Sequence, residues 1–419
     1  MSCHNDLRAQ AYFGVINNTN DREKKAMKYK RTVQYACIQS GYWMGVLGLI
    51  GFSSAYLLEN GYTNGQIGVI VAICSLASTV GQPVVAGWID RSGGKQLKRW
   101  LYLITGSLLA TAFLQAFLFP ITRLGASILF AVDMVLLQMV LPLINSLSVG
   151  KEPKEGKTDF GIARGAGSLA YAVLAAILGK CVARWGARSI SLAICGIFLL
   201  LFLSIHFYVY EPRELKARDV HREEKEKGFL RRYPRFCVTL IGCILLYISH
   251  VLLNNFTLQI VLDKGWDSVV MGNTQAIAAI LELPVMFCFG WLLKKKPASF
   301  WFRLCGISFF LKAVGTLLVT SVGGFYAVQL MQMGGWAVIA VAPVYYIKGI
   351  MDPQDAVKGQ SYFTMTNTIA TVVGSSAGGF LIDGFGMGLA LLFGSFCAAI
   401  GAIILLAGVQ RTENYVYRE

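Results

Sequence analysis

Between residues 34 and 409 the sequence alternates long apolar runs with short polar breaks. The pattern predicts helices over 34–58, 64–89, 98–119, 125–150, 158–180, 188–210, 236–262, 268–293, 299–320, 323–347, 356–382 and 387–409. At about 1.5 Å of rise per residue, every one of them clears the ~30 Å apolar thickness of a bilayer. Barrel strands are excluded, because they alternate apolar and polar residues over only about 10 positions. A helical bundle remains, since lipid offers no partner to a free backbone N–H or C=O. Pro83, Pro142, Pro284 and Pro343 fall inside the runs, where membrane helices tolerate them.

Composition agrees. With 55% apolar residues, 15% charged residues and a mean hydropathy of +0.55, a water-soluble globule of 419 residues would expose far too much apolar surface. The formal charge of +15 raises the question of nucleic acid, but the Lys and Arg residues sit in the polar breaks and build no basic face. The expected surroundings are a lipid bilayer, with no nucleic-acid partner. With the N-terminus placed in the cytoplasm, the breaks on that side hold 31 Lys and Arg residues, and the others hold 5, at Arg123, Lys180, Arg184, Arg188 and Lys264. The positive-inside rule then puts both termini in the cytoplasm of a multi-pass protein of the cell membrane. The connection after the fifth run, with three bases outside, fits least well.

Residues 1–33 read as a cytoplasmic tail, without the apolar stretch and cleavage site of a signal peptide. Met27, before the basic Lys28-Tyr29-Lys30-Arg31 flank, is an alternative start. Residues 211–235 form a charged linker between a first half, 34–210, and a second, 236–409; residues 410–419 form a second cytoplasmic tail. Ten cysteines lie mostly within the apolar runs, with no Cys-x-x-Cys pair and no His at ligand spacing. Neither a disulfide framework nor a metal is expected, and nothing implies a cofactor.

The two halves repeat. A shift of about 203 residues lays Asn60-Gly61-Tyr62-Thr63 near Lys264-Gly265-Trp266-Asp267, Gly68 on Gly272, Gly87-Trp88 on Gly290-Trp291, Gly156-Lys157-Thr158 on Gly359-Gln360-Ser361, and Phe160 on Phe363. Trp185-Gly186 falls near Phe385-Gly386. A parallel repeat of six helices is the sequence symptom of a transporter whose two bundles rock about a site near the bilayer midplane.

Four charges lie well inside the runs, away from their ends: Asp133, Arg164, Glu282 and Lys312. A charge in hydrocarbon costs at least about 2.5–3.5 kcal/mol, so it normally faces a cavity or a partner. Glu282 lies 12 residues before Lys294 and Lys312 lies 16 after Lys296, depths of roughly 18 and 24 Å. They are placed to pair, either as a fixed ion pair or as a proton-handling one. Asp133 on the fourth run is expected to reach Arg164 on the fifth, the alternative being a structural acid. His250 is a second proton-carrier candidate, against a packing histidine. Asn254, Asn255, Gln329 and Gln332 suit a polyhydroxylated solute or, equally, interhelical hydrogen bonds. Among the aromatic residues Tyr42, Trp43, Trp336 and Tyr345, only mid-span Trp336 is favoured as a cavity residue.

Gly87-Trp88-Ile89-Asp90-Arg91-Ser92-Gly93-Gly94-Lys95, between the second and third runs, resembles the G-x-x-x-D-R-x-G-x-[KR] loop of the major facilitator superfamily. The glycines permit a tight turn, and Asp90 can accept from helix N-termini. An ordinary turn is the alternative. The resemblance implies an all-α membrane protein of twelve transmembrane helices in two pseudo-symmetric six-helix bundles, with Gly87, Asp90, Arg91 and Gly94 as a conformational gating loop. The counterpart at Gly290-Trp291-Leu292-Leu293-Lys294-Lys295-Lys296 has no Asp.

A narrower resemblance lies in Phe160-Gly161-Ile162-Ala163-Arg164-Gly165-Ala166-Gly167-Ser168-Leu169-Ala170-Tyr171 and in Glu282-Leu283-Pro284-Val285-Met286-Phe287. These are similar to the fifth- and eighth-helix signatures of the branch holding lactose permease-like sugar/proton symporters, nucleoside/proton symporters and phenylpropionate transporters. That resemblance implies Arg164 as a substrate contact, Tyr171 as an aromatic stacking on a sugar, and Glu282 as a substrate-bonding carboxylate. Arg164 and Tyr171, seven apart, share a helix face. Three positions depart from the branch: Asn145 stands where it has a carboxylate facing the arginine, Gln332 where it has the coupling histidine, and Gly335 where it has the acid one turn on.

An ATP-driven or enzymatic role is excluded by the lack of a phosphate-cradling G-x-x-x-x-G-K-[ST], of a metal pair, and of a sizeable soluble domain. The expectation is a proton-coupled secondary transporter for a sugar, nucleoside or similar small polar solute, working as a monomer. Its substrate residues are Arg164, Tyr171, Glu282, Asn145, Gln332, Trp336, Asn254 and Asn255, and its proton or ion-pair residues Glu282, Lys312, Asp133 and His250. The alternatives are proton-driven transport of aromatic or amphipathic compounds and a non-transporting receptor.

Overall fold

The computed structural model describes residues 30–91, 95–117, 122–147, 160–210, 229–352 and 355–412, leaving out the side chains of residues 90, 91, 230 and 357. Twelve spans follow in order. The first half comprises α1 (Lys30–Gly51 with Ser53–Glu59), α2 (Asn64–Arg91), α3 (Leu97–Phe117), α4 (Arg123–Leu147), α5 (Phe160–Trp185) and α6 (Arg188–Phe207). The second comprises α7 (Pro234–Asn255 with Thr257–Asp263), α8 (Ser268–Lys295), α9 (Ala298–Leu318), α10 (Val322–Ile350), α11 (Ala356–Phe385) and α12 (Met387–Gly408). Each predicted run matches one span to within a few residues.

The internal repeat is written into the backbone. Among the described residues, the positive-φ positions are Gly61 (80°), Gly186 (68°), Gly265 (77°) and Gly386 (84°), one pair in each half. A side chain would be strained there, so these glycines fix the turns α1–α2, α5–α6, α7–α8 and α11–α12. All four turns lie at one end of the bundle, here the glycine-turn end; the opposite end holds the linker. Equivalent turns are not capped equivalently: Asp267 accepts from Val269 N and Val270 N to start α8, whereas at the start of α2 Thr63 Oγ1 accepts from Gln66 N at 3.3 Å.

Three spans are broken where uninterrupted helices were expected. α1 passes through a π-turn at Leu47–Gly51 and bends by 44° at fully buried Phe52; α7 breaks at fully buried Phe256 in the second half. α10 falls into the pieces Val322–Val328, Met331–Gly334, Trp336–Ile339 and Ala342–Ile350. Gly335, at φ −92° and ψ −92°, lies outside the helical basin, and Pro343 withholds a backbone donor about two turns later. Apolar periodicity carries no trace of such breaks, because the flanking side chains stay apolar throughout.

Within the first half α3 packs on α4 and α6, and within the second α12 packs on α7 and α9. The halves meet along two seams, α2 with α11 and α5 with α8.

Candidate functional site

Both seams rest on glycine. A Cβ on Gly68 would lie 2.0 Å from Ser375 O, and one on Gly379 2.2 Å from Asn64 O, so α2 and α11 touch backbone to backbone. On the other seam a Cβ on Gly179 would lie 2.6 Å from Ser268 O, and one on Gly272 2.3 Å from Ala175 O. Small residues are what let membrane helices approach this closely. Hydrogen bonds reinforce the same end. Asp383 accepts from Asn64 N at 3.1 Å, Asn64 Nδ2 at 2.8 Å and Gly65 N at 2.7 Å, while Ser268 Oγ donates to Gly179 O at 3.0 Å. Nearer the middle, Tyr171 donates to Gln275 Oε1 at 3.0 Å, Gln275 Nε2 donates to Gly51 O at 3.0 Å, and the Thr79 and Thr368 hydroxyls lie 3.3 Å apart. These hydrogen bonds between the halves lie in the middle and toward the glycine-turn end; closer to the linker end Gly165 packs on the Phe287 ring.

Below that closure, the first half presents Arg164. Its guanidinium lies 3.8 Å from the Trp43 ring and donates from Nη1 to Ser168 Oγ at 2.6 Å, one turn along α5. The indole is itself held, donating to Gln39 Oε1 at 3.1 Å. Gln39 Nε2 donates to Tyr35 Oη at 2.8 Å and to Asn145 Oδ1 at 3.4 Å. Tyr35, Gln39 and Trp43 recur every fourth residue on one face of α1, which is how that face delivers an ordered chain of polar groups to the arginine. Sequence reasoning passed over Gln39 and ranked Trp43 low; the four-residue spacing was the available signal.

The second half presents Glu282. Gln332 Nε2 donates to Glu282 Oε1 at 2.8 Å, and Lys312 Nζ donates to Gln332 Oε1 at 2.5 Å. The expected direct pair of Glu282 and Lys312 is thus corrected: the Gln332 amide stands between them, donating to the anion and accepting from the cation. Neutral Gln332 is the connecting piece. Lys312 and Gln332 are buried, whereas Glu282 keeps accessible surface, as do Arg164 and Trp43. Glu282 lies within electrostatic reach of both Lys312 and Arg164, the acid and the arginine standing on α8 and α5, which pack together across the halves.

Other predicted residues stand elsewhere. Asp133 does not reach Arg164; fully buried, it accepts from Thr111 Oγ1 and, at 2.6 Å, from Gln115 Nε2, both on α3. Those donors take up its charge within the first half, so it is a structural acid in this state. Tyr171 is engaged in the closure through its hydroxyl. His250 is buried, stacked on Trp336 at 4.2 Å and edge-on to Phe309, with Nε2 2.6 Å from Asn254 Nδ2. That is the packing alternative, although Asn254 itself is exposed and Trp336 partly so. Asn255 donates to Ser375 Oγ at 2.8 Å and is buried against α11. Of the gating loop, Gly87 lies in α2, where an added Cβ would meet nothing within 4 Å. Asp90 and Arg91 end that helix with undescribed side chains, and Gly94 lies outside the described residues.

The sequence model of the family described as Major Facilitator Superfamily matches residues 35–328. No curated protein sequence matches the chain. Among solved structures, the nucleoside transporter NupG superposes with a TM-score of 0.74 at 13% identity, covering 92% of this chain and 100% of that one. An auto-inhibited peptide transporter of the POT family gives 0.69 at 11% identity, covering 94% and 98%. A mutant form of a POT peptide transporter gives 0.66 at 13% identity, covering 91% and 94%. Identities this low speak for the shared fold of two six-helix bundles.

Proposed function

The chain belongs to the Major Facilitator Superfamily and is a multi-pass membrane transporter rather than an enzyme; from that premise we propose that it takes up a sugar, nucleoside or similar small polar organic solute together with protons. The carrying observation is that Arg164 from the first half and Glu282 from the second, both part-exposed, stand on the packed helices α5 and α8 within electrostatic reach of each other.

In this reading the bundles are residues 34–210 and 236–409, the linker is 211–235, and one chain suffices for function. The Lys and Arg distribution puts both termini and the linker end in the cytoplasm, so the glycine-turn seams close the outer side. Arg164, steadied by Trp43 and Ser168, anchors the solute; Asn254, Trp336 and the Gln332 amide offer further contacts. Glu282 carries the proton. As a carboxylate it accepts from Gln332, and protonation turns it into a donor that releases that amide and weakens its tie to Lys312. The loop at Gly87, Asp90, Arg91 and Gly94 governs the cytoplasmic closure.

The test is uptake by the full-length protein in proteoliposomes, with sugars, nucleosides and aromatic acids offered with and without an inward proton gradient. Solute-dependent alkalinisation of the medium is expected from the wild type and not from Glu282→Gln. A wild type that accumulates solute without moving protons rules out the coupling.

A further inference from the structure

Arg164 and Asp133 are the charged residues well inside the first-half spans, and the partners of Arg164 within that half are Ser168 and Trp43, with no carboxylate among them. Asn145, neutral, is bonded to Gln39. Asp133, the other charge within the first-half spans, is fully buried and turned to Thr111 and Gln115 on α3. Glu282 on α8 is within electrostatic reach of Arg164, but its Oε1 is taken by Gln332, which binds Lys312 in turn. In their ordinary ionisation states Arg164, Lys312 and Glu282 sum to two cations and one anion, an excess of one positive charge in a region of low dielectric. Such a charge is expensive unless an anion joins it.

The donors are also spare. A guanidinium offers five N–H groups; Arg164 uses Nη1 on Ser168, and its π-face lies on the Trp43 ring. What remains is an in-plane edge held still by aromatic stacking, the arrangement that takes a planar anion through two parallel hydrogen bonds.

We propose that the solute carries a single negative charge as a carboxylate, seated on Arg164, and that it is a hydroxylated monocarboxylate of the sugar-acid type. The hydroxyls follow from the polar group that the second half brings within reach of the arginine: part-exposed Glu282, which accepts. This inference rests on the assignment of the Arg164–Glu282 space as the solute site. It narrows that site from polar solutes in general to anionic ones. A neutral sugar would use some of the same hydrogen bonds and leave the excess charge unanswered.

The test compares acids with their neutral amides, which keep size and shape. Full-length protein in proteoliposomes is offered D-glucuronate against D-glucuronamide and 3-hydroxybenzoate against 3-hydroxybenzamide, with glucose and uridine as neutral references. A charge-assisted paired contact should favour the acid of a pair by roughly 10- to 100-fold in kcat/KM or in competition. Glucuronate preferred over its amide and over 3-hydroxybenzoate is the expected result. Arg164→Gln should bring acid and amide to parity, whereas Arg164→Lys should retain a reduced preference. The wild-type ratio is decisive even if Arg164→Gln fails to reach the membrane. Transport of glucose, uridine or either amide at least as well as the acids overturns the charge assignment while leaving a polar-solute transporter in place. Preference for 3-hydroxybenzoate over glucuronate overturns the hydroxylated class. Failure of every probe to move or to compete overturns this inference together with the reading it rests on.

Discussion

The Tyr171 hydroxyl donates to the side-chain oxygen of Gln275 at 3.0 Å, across the boundary between the two halves. Gln275 continues to Gly51 O, at the end of the π-turn in α1. Tyr171 therefore belongs to the closure above Arg164 rather than standing free to stack on a solute. Tyr171→Phe keeps the ring and removes the link, worth about 0.5–1.5 kcal/mol for a neutral hydrogen bond. The expected outcome is a shift of roughly two- to tenfold toward the state open at the glycine-turn end, read as spin-label distances between the Asn60 and Lys264 turns. If those distances stay put while Tyr171→Ala alone stops uptake, the ring rather than the hydroxyl is what matters.

How much of this was legible beforehand depends on the kind of signal. The twelve spans were readable because lipid imposes length and apolarity on every crossing, and the repeat because Gly61 and Gly265 hold the same left-handed turn in each half. Arg164 and Glu282 stood out as charges in apolar runs, and both stay part-exposed on the two packed helices α5 and α8. The identity of their partners did not follow, since partners are set by side-chain direction across helices. Asp133 and Arg164 look adjacent along neighbouring spans, yet Asp133 turns to α3, where Thr111 and Gln115, four residues apart, present two donors on one face. Gln332 looked like a lost function where the structure makes it a junction. The breaks at Phe52, Phe256 and Gly335 were invisible because they alter backbone geometry without altering hydrophobicity.

Asp133 supplies a second prediction. Replacing it by Leu strands the amide donor of buried Gln115, costing about 1–3 kcal/mol, while the Thr111 hydroxyl falls back on Ser107 O at 2.7 Å. Asp133→Leu should lower the melting temperature of the detergent-solubilised protein, while Asp133→Asn, which keeps one acceptor oxygen, should lose less. The solute KM of Asp133→Asn should match the wild type. An altered KM at unchanged melting temperature would instead place Asp133 in the solute pathway.

Gln332 is expected to couple Lys312 and Glu282 energetically. Gln332→Leu strands the Lys312 ammonium, 5% exposed, and should destabilise the protein by about 1.5–3 kcal/mol, the range for hydrogen bonds to charged groups. Lys312→Met removes the stranded charge, so the double variant should be more stable than the sum of the single effects allows. A double-mutant cycle on thermal or denaturant unfolding measures the difference, expected at about 0.5–3 kcal/mol. Strict additivity would mean that the amide and the lysine act independently despite their 2.5 Å contact.

The seam between α5 and α8 yields the last prediction, and it separates closing from binding. A Cβ on Gly272 would meet Ala175 O at 2.3 Å and one on Gly179 would meet Ser268 O at 2.6 Å, both backbone atoms that have no rotamer to escape into. Any larger residue must therefore push the helices apart at this end, and only in the state where they touch. Gly179→Val and Gly272→Val should each disfavour the closed glycine-turn end and leave the alternative arrangement of the bundles unharmed. The protein should fold and insert, show longer spin-label distances at that end, and lose net uptake. Solute binding measured on the detergent-solubilised variant should persist, since Arg164 and Glu282 lie well along α5 and α8 from the substitution. Unchanged distances together with normal uptake would mean that the seam yields to an added side chain and that this closure is not required in the cycle.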